Sequence, residues 1–77
     1  MTTEQSKQAI SLIAQVAHKN PKDFSVYIPL SAYRMDSLDM ISAITAIEEA
    51  FNIKVPDSVL PGFNCGSDIL DYLEEVV

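Results

Sequence analysis

The stretch Met35-Asp36-Ser37-Leu38-Asp39-Met40-Ile41-Ser42-Ala43-Ile44-Thr45-Ala46-Ile47-Glu48-Glu49-Ala50-Phe51 decides the fold. Its apolar residues recur at helical spacing. Met40, Ala43, Ile44, Ile47, Ala50 and Phe51 fall within an arc of about 120°, a face to be buried against other helices. Asp36 suits the N-cap, and Asp39 at the third helical position favours the same start through the helix dipole. A helix over Ser37–Phe51 is expected. Its other face carries Ser37, Leu38, Ile41, Thr45, Glu48 and Glu49, so two large aliphatic side chains stand among hydroxyls and carboxylates. Isolated exposed aliphatic residues are ordinary on a protein surface. A pair of them beside an acidic cluster, next to a helix start, reads as a docking patch.

Working upstream, Thr3–Lys19 is a second amphipathic run. Ala9, Ile10, Leu12, Ile13, Val16 and Ala17 share an arc of about 160°. Thr2 with Gln5 has the form of a capping box, and Pro21 stops the run. His18 falls on the polar side and reads as a solvated residue. Residues 20–36 are a long connection whose Phe24, Val26, Tyr27, Ile28, Leu30 and Tyr33 imply that it packs across the helices, since loops of this length are usually pinned or functional. Downstream, Pro56–Leu60 suits one helical turn ended by Pro61-Gly62. Ser67 then caps a helix over Asp68–Val76, with Ile69, Leu70, Tyr72, Leu73, Val76 and Val77 on one side and Asp68, Asp71, Glu74 and Glu75 on the other. The expected fold is all-α: a small bundle of three main helices plus one short helix, with a long loop between helices 1 and 2. A single domain over residues 1–77 is expected.

Composition narrows the function. The 77 residues are 48% apolar and 21% charged, proportions of a globular chain and not of a disordered one. Cys65 is the only cysteine and His18 the only histidine, so neither an internal disulfide nor a closed zinc site is expected. The net charge of −6 argues against nucleic acid and against anionic membrane surfaces. That acidity is lopsided. Residues 1–36 set Glu4, Asp23 and Asp36 against Lys7, Lys19, Lys22 and Arg34, whereas residues 37–77 hold eight acids against Lys54 alone. Partners with basic surfaces, docking on the second half, are implied. No run approaches a membrane span, and Met1–Gln8 lacks the pattern of a signal peptide, so a cytoplasmic monomer without membrane insertion is expected. Catalytic apparatus is missing: a lone exposed imidazole offers no Ser–His or Cys–His pair, residues 64–75 lack the spacing of a calcium loop, and no Gly-rich phosphate loop occurs. Cys65, in a short connection, reads as a packing or loop residue.

What remains is Asp36-Ser37-Leu38 at the end of a long loop. With Asp39, Ile41, Ile44, Ala46-Ile47-Glu48-Glu49, Phe51 and Val55-Pro56-Asp57, this run resembles the acyl carrier proteins of the bacterial, stand-alone type. It aligns without gaps from Asp36 to Tyr72; the first 30 residues match in length and amphipathic pattern more than in identity. The resemblance implies that Ser37 is the attachment point of a 4′-phosphopantetheine arm derived from coenzyme A, with Asp36 and Leu38 beside it. The arm would hold acyl groups as thioesters and deliver them to partner enzymes, the chain itself being no enzyme. It implies as partners a phosphopantetheinyl transferase and a ketosynthase, acyltransferase or acyl ligase with a basic docking surface. Asp36, Asp39, Glu48 and Glu49 would meet that surface, with Leu38 and Ile41 as the apolar contact. Ile44, Ile47, Phe51, Phe63, Ile69 and Leu73 would line an acyl-chain cavity.

Some positions depart from the family pattern. Arg34 stands where glycine is common and Tyr33 where leucine is usual. Ser42, Thr45, Pro61-Gly62 and Gly66 also differ. Together they point away from primary fatty acid synthesis, towards a specialised carrier of a polyketide-like or other secondary pathway. A guanidinium at position 34 has the reach to meet a phosphate on Ser37. A peptidyl or aminoacyl carrier, with the same arm and a different cargo, is the nearest competing reading. An acidic helical adaptor that is never modified is the competitor from another class.

Overall fold

The computed structural model describes residues 1–77. Three α-helices, α1 (Thr3–Val16), α2 (Ser37–Phe51) and α3 (Gly66–Val76), are joined by connections that contain short 3₁₀ segments and no strand. The expected bundle of three main helices and one short one is present. Helix α1 packs on both α2 and α3. Ala9, Ala14 and Ala43 are fully buried at this junction, and small side chains let the helix axes come close. Ile13, Ile47, Ile69 and Leu73, all sealed from solvent, fill the space between the three helices. Burying such a side chain is worth about 1.5–3 kcal/mol each, the main favourable contribution in a chain this short.

Helix boundaries differ from the periodicity in instructive ways. The capping box of α1 forms as expected: Thr2 N–H donates to Gln5 Oε1 (2.8 Å) and Gln5 N–H to Thr2 Oγ1 (3.1 Å). The helix ends at Val16, three residues before the expected Lys19. His18 turns left-handed (φ 58°), and Lys19 N–H reaches back to Ala14 O (2.9 Å) while His18 N–H donates to Gln15 O (3.1 Å). This Schellman ending closes the orphan carbonyls, and Pro21 forces Asn20 to be extended, so no residue is left to prolong the helix. At the other end of the chain, α3 begins at Gly66 with Cys65 as its cap residue, and the expected cap Ser67 lies inside the helix. The short helix runs Asp57–Gly62 as a 3₁₀ segment that includes Pro61, extending past the expected Leu60. Pro61 is tolerated because it stands at the first position of the turn that Phe63 N–H closes onto Leu60 O (3.0 Å), where its own missing amide is not called on.

The connection from 20 to 36 is pinned at several points. It holds two 3₁₀ turns, Pro21–Asp23 and Leu30–Tyr33. Phe24 stacks on Tyr33 at 4.7 Å, and Tyr33 Oη accepts from Ser25 N–H at 2.8 Å, which accounts for tyrosine in place of leucine. Its middle is stitched to the start of α3: Leu30 N–H donates to Asn64 O (2.8 Å) and Ser67 N–H to Val26 O (2.9 Å). Gly66 permits this approach, since a Cβ there would stand 3.2 Å from Val26 Cα. Held in this way, the connection delivers buried Leu30 and Met35 to the core and presents Asp36-Ser37 at the surface.

Candidate functional site

Asp36 is the N-cap of α2 and is locked reciprocally to Asp39. Asp39 N–H donates to Asp36 Oδ1 (2.9 Å), and Asp36 N–H donates to Asp39 Oδ2 (3.2 Å). Ser37 is therefore the first residue of a well-defined helix, and it is exposed. The amides of Ser37 and Leu38 find no backbone or side-chain acceptor, so unsatisfied N–H groups surround the serine at the positive end of the dipole. Such a terminus favours a phosphate ester on the neighbouring hydroxyl.

Beside Ser37 opens a cleft of about 620 Å³ between the start of α2, the long connection and the 3₁₀ segment. Leu30, Met35, Met40, Leu60 and Phe63 give it apolar walls, and Asp36 and Asp57 stand among its polar residues. Of the six residues expected to line an acyl-chain cavity, only Phe63 lines this cleft. Ile44, Ile47, Ile69 and Leu73 lie buried in the core, and Phe51 is half-buried against it. Met35, Met40 and Leu60 were not singled out from the sequence as cleft residues. Their signal was available in the pairing of apolar positions with a nearby Pro-Gly turn, although apolar residues at helical spacing look alike whether they line a cleft or fill a core.

The expected docking residues separate into two groups. Leu38 (73% exposed) and Ile41 (52% exposed) lie open on α2, and Glu49 is exposed near its end. Asp39 and Glu48 are half-buried and partly occupied. Asp39 holds the cap, and Glu48 Oε2 accepts from Val55 N–H at 2.7 Å, fixing the chain after the left-handed Asn52.

A single match covers most of the chain: residues 7–73 fit the family model described as the phosphopantetheine attachment site. The chain belongs to that family. A similar protein is the acyl carrier protein of Syntrophobacter fumaroxidans, 42% identical over 38 residues, a stretch that spans 49% of this chain and 47% of that relative. The chain therefore matches about half the length of this curated relative. Phosphopantetheine is the group that members of the attachment family carry. The chain's own residues fit it: an exposed hydroxyl, free amides around it and an open cleft alongside. Arg34, at the position where the family commonly has glycine, takes the left-handed conformation that glycine adopts freely (φ 62°). Its side chain does not border the serine's cleft and lines a separate concavity with Asp39. No helix of the chain is long and apolar enough to cross a membrane.

Proposed function

We propose that this chain is a non-catalytic acyl carrier, with Ser37 as the residue that receives the arm. The observation that carries the reading is the exposed serine at the first position of a capped helix, beside an open cleft, in a chain whose residues 7–73 match the attachment family. When bound, the arm supplies a thiol on a flexible tether for holding acyl groups as thioesters. Ser37 Oγ loses its proton to the transferase and attacks a phosphorus of coenzyme A. The pyrophosphate bond breaks and the nucleotide portion leaves. The serine needs no lowered pKa, because the transferase provides the base. Asp36 keeps the helix start in register, and the unbonded amides of Ser37 and Leu38 would be available as donors to a phosphodiester on Ser37.

Partner enzymes of the ketosynthase, acyltransferase or acyl ligase kind would dock on α2 through basic surfaces. Leu38 and Ile41 supply the apolar contact, and Asp36, Asp39, Glu48 and Glu49 the charge. Charge pairing of this sort speeds and orients encounter more than it tightens binding, which suits a shuttle that must leave each enzyme. The cleft beside Ser37 would give the arm a place to rest. Ile44, Ile47, Phe51, Ile69 and Leu73, which share the core with Phe63, are the apolar residues that would surround an acyl chain if the core parted to admit one. Tyr33, Arg34, Ser42, Thr45, Pro61-Gly62 and Gly66, standing where the family usually has other residues, support a specialised, polyketide-like or other secondary pathway.

The test is incubation with coenzyme A and a broad-specificity phosphopantetheinyl transferase, read by intact mass. One added arm in the wild type and none in Ser37→Ala is expected. A wild type left unmodified, under conditions that convert a known carrier, overturns the reading and favours the unmodified adaptor. Loading by amino-acid-activating enzymes in preference to acyl-activating ones would reassign the cargo to a peptidyl carrier.

A further inference from the structure

The last turn of α1 and the approach to α2 enclose a second concavity of about 440 Å³, apart from the serine's cleft. His18, Lys19 and Arg34 line it together with Asp39 and Tyr33. The chain holds eleven acids and five bases, yet its one ion pair within 4 Å joins the Met1 amino group to Glu74 (3.8 Å). Lys19 and Arg34 are thus cations without a carboxylate partner on a strongly acidic protein. Two of the three non-glycine residues with positive φ, His18 and Arg34, sit here. Each occupies a backbone conformation that glycine would take without cost, so what distinguishes these residues from glycine is the side chain they present.

We infer that this crevice is a recognition site for an acidic side chain of the phosphopantetheinyl transferase, a partner whose engagement rests on the carrier reading above. The argument for that partner is geometric. Enzymes that act on the arm's far end also dock on α2, but their active sites lie an arm's length from Ser37, whereas the transferase must bring its active site to Ser37 Oγ itself. Its footprint therefore spans both flanks of the α2 start, the cleft on one side and the crevice on the other. The transferase meets an acidic α2 face with basic residues and places a carboxylate between Lys19 and Arg34. That alternation of sign fixes orientation, which a uniformly acidic surface cannot do. Asp39 in the crevice and the chain's −6 weaken the binding of any isolated anion, so a carboxylate is held here as one contact within a larger interface. The phosphates of coenzyme A are disfavoured because Ser37, their point of attack, does not line it.

The experiment is steady-state transfer from coenzyme A to the apo chain, with a transferase that modifies the wild type. Arg34→Glu is expected to raise KM for the carrier about tenfold and Lys19→Glu about fivefold, with kcat within about twofold and the difference shrinking at high salt. Arg34→Gly keeps the left-handed backbone and removes only the side chain, so a raised KM with an undiminished Tm separates recognition from folding. Lys7→Glu, on an exposed part of α1, makes the same change in net charge and is expected to leave KM within about twofold. Equal KM rises in Lys7→Glu and Arg34→Glu would reduce the effect to overall charge and overturn the inference. So would unchanged KM in both crevice variants. A rise confined to KM for coenzyme A would move the site's ligand to the nucleotide and overturn it as well. A wild type that no transferase modifies sinks the carrier reading first, a result distinct from all of these.

Discussion

Helices α2 and α3 begin with the same device and are put to opposite uses. In each, an aspartate at the third helical position accepts the amide of the cap residue: Asp39 from Asp36, and Asp68 from Cys65 (3.1 Å). Around α3 the device is sealed. Asp68 Oδ2 also takes the amide of Asn64 (2.9 Å), Ser67 N–H is bonded to Val26 O, and Gly66 is buried under Val26. Around α2 the amides of Ser37 and Leu38 remain free, and the first residue is an exposed serine next to a cleft. A capped helix start is a structural fixture when its amides are bonded or buried. It becomes a place for chemistry when they are left over.

The comparison breaks most sharply at its open end. Ser37→Ala is expected to abolish arm attachment entirely in the mass assay, while leaving the unfolding free energy from urea denaturation within about 0.5 kcal/mol of wild type, as for other exposed positions. At the sealed end the reverse holds. Gly66→Val places branched carbons where even a Cβ would approach Val26 at 3.1–3.2 Å, with backbone among the atoms met. A loss of about 1–3 kcal/mol by urea denaturation is expected from this overpacking. Ser37, in contact with neither segment's stitching, would still be modified in whatever fraction stays folded. Unimpaired stability of Gly66→Val would mean that the connection yields easily and that the seal is loose.

A pH titration sharpens the contrast further. The backbone amides of Asn64, then of Cys65, hold the Asp68 carboxyl below its ordinary range. Its folded pKa is depressed, so its contribution is complete above the unfolded value of about 3.9 and is lost as pH falls through the folded pKa. Asp68→Asn is expected to be less stable than wild type at neutral pH, with the gap closing in acid. A gap that persists unchanged to the lowest pH at which the chain is folded would show that Asp68 acts by shape and not by charge.

Much of this was legible beforehand, and the limits have physical causes. The faces of α1, α2 and α3 follow from periodicity, because burial demands a continuous apolar stripe. The Asp36 cap and the exposure of Leu38 and Ile41 followed from the same pattern. The α3 start did not, since a cysteine makes a poor cap by type and Ser67 looked the better one. Asp68 acting backwards on two amides decided the matter, together with a strand-like contact between Pro29 and Cys65 that joins distant parts of the chain. The spacing of Glu48 places it on the outer face, among the docking acids. Its bond to Val55 depends on how the chain turns after Asn52, which local pattern does not encode. The crevice at Lys19 and Arg34 was equally hidden, as it joins residues from two segments brought together by tertiary packing alone.

The smallest effect concerns what lies between the two helix starts. Arg34 ends a 3₁₀ turn in the left-handed conformation, with its amide bonded to Ser31 O at 3.0 Å. A side chain with a Cβ is disfavoured there by about 1–2 kcal/mol, and glycine gives part of that back by being freer in the unfolded chain. Arg34→Gly is therefore expected to stabilise the fold by about 0.5–1 kcal/mol in urea denaturation, with no change in the slope of the transition. The parallel change at another left-handed site, Asn52→Gly, is expected to gain less, because asparagine tolerates this region better than arginine. If Arg34→Gly destabilised instead, the guanidinium would be holding the approach to Ser37 in place through contacts of its own. The crevice would then be part of the scaffold of the α2 start, and no longer a surface kept open at a cost in backbone strain.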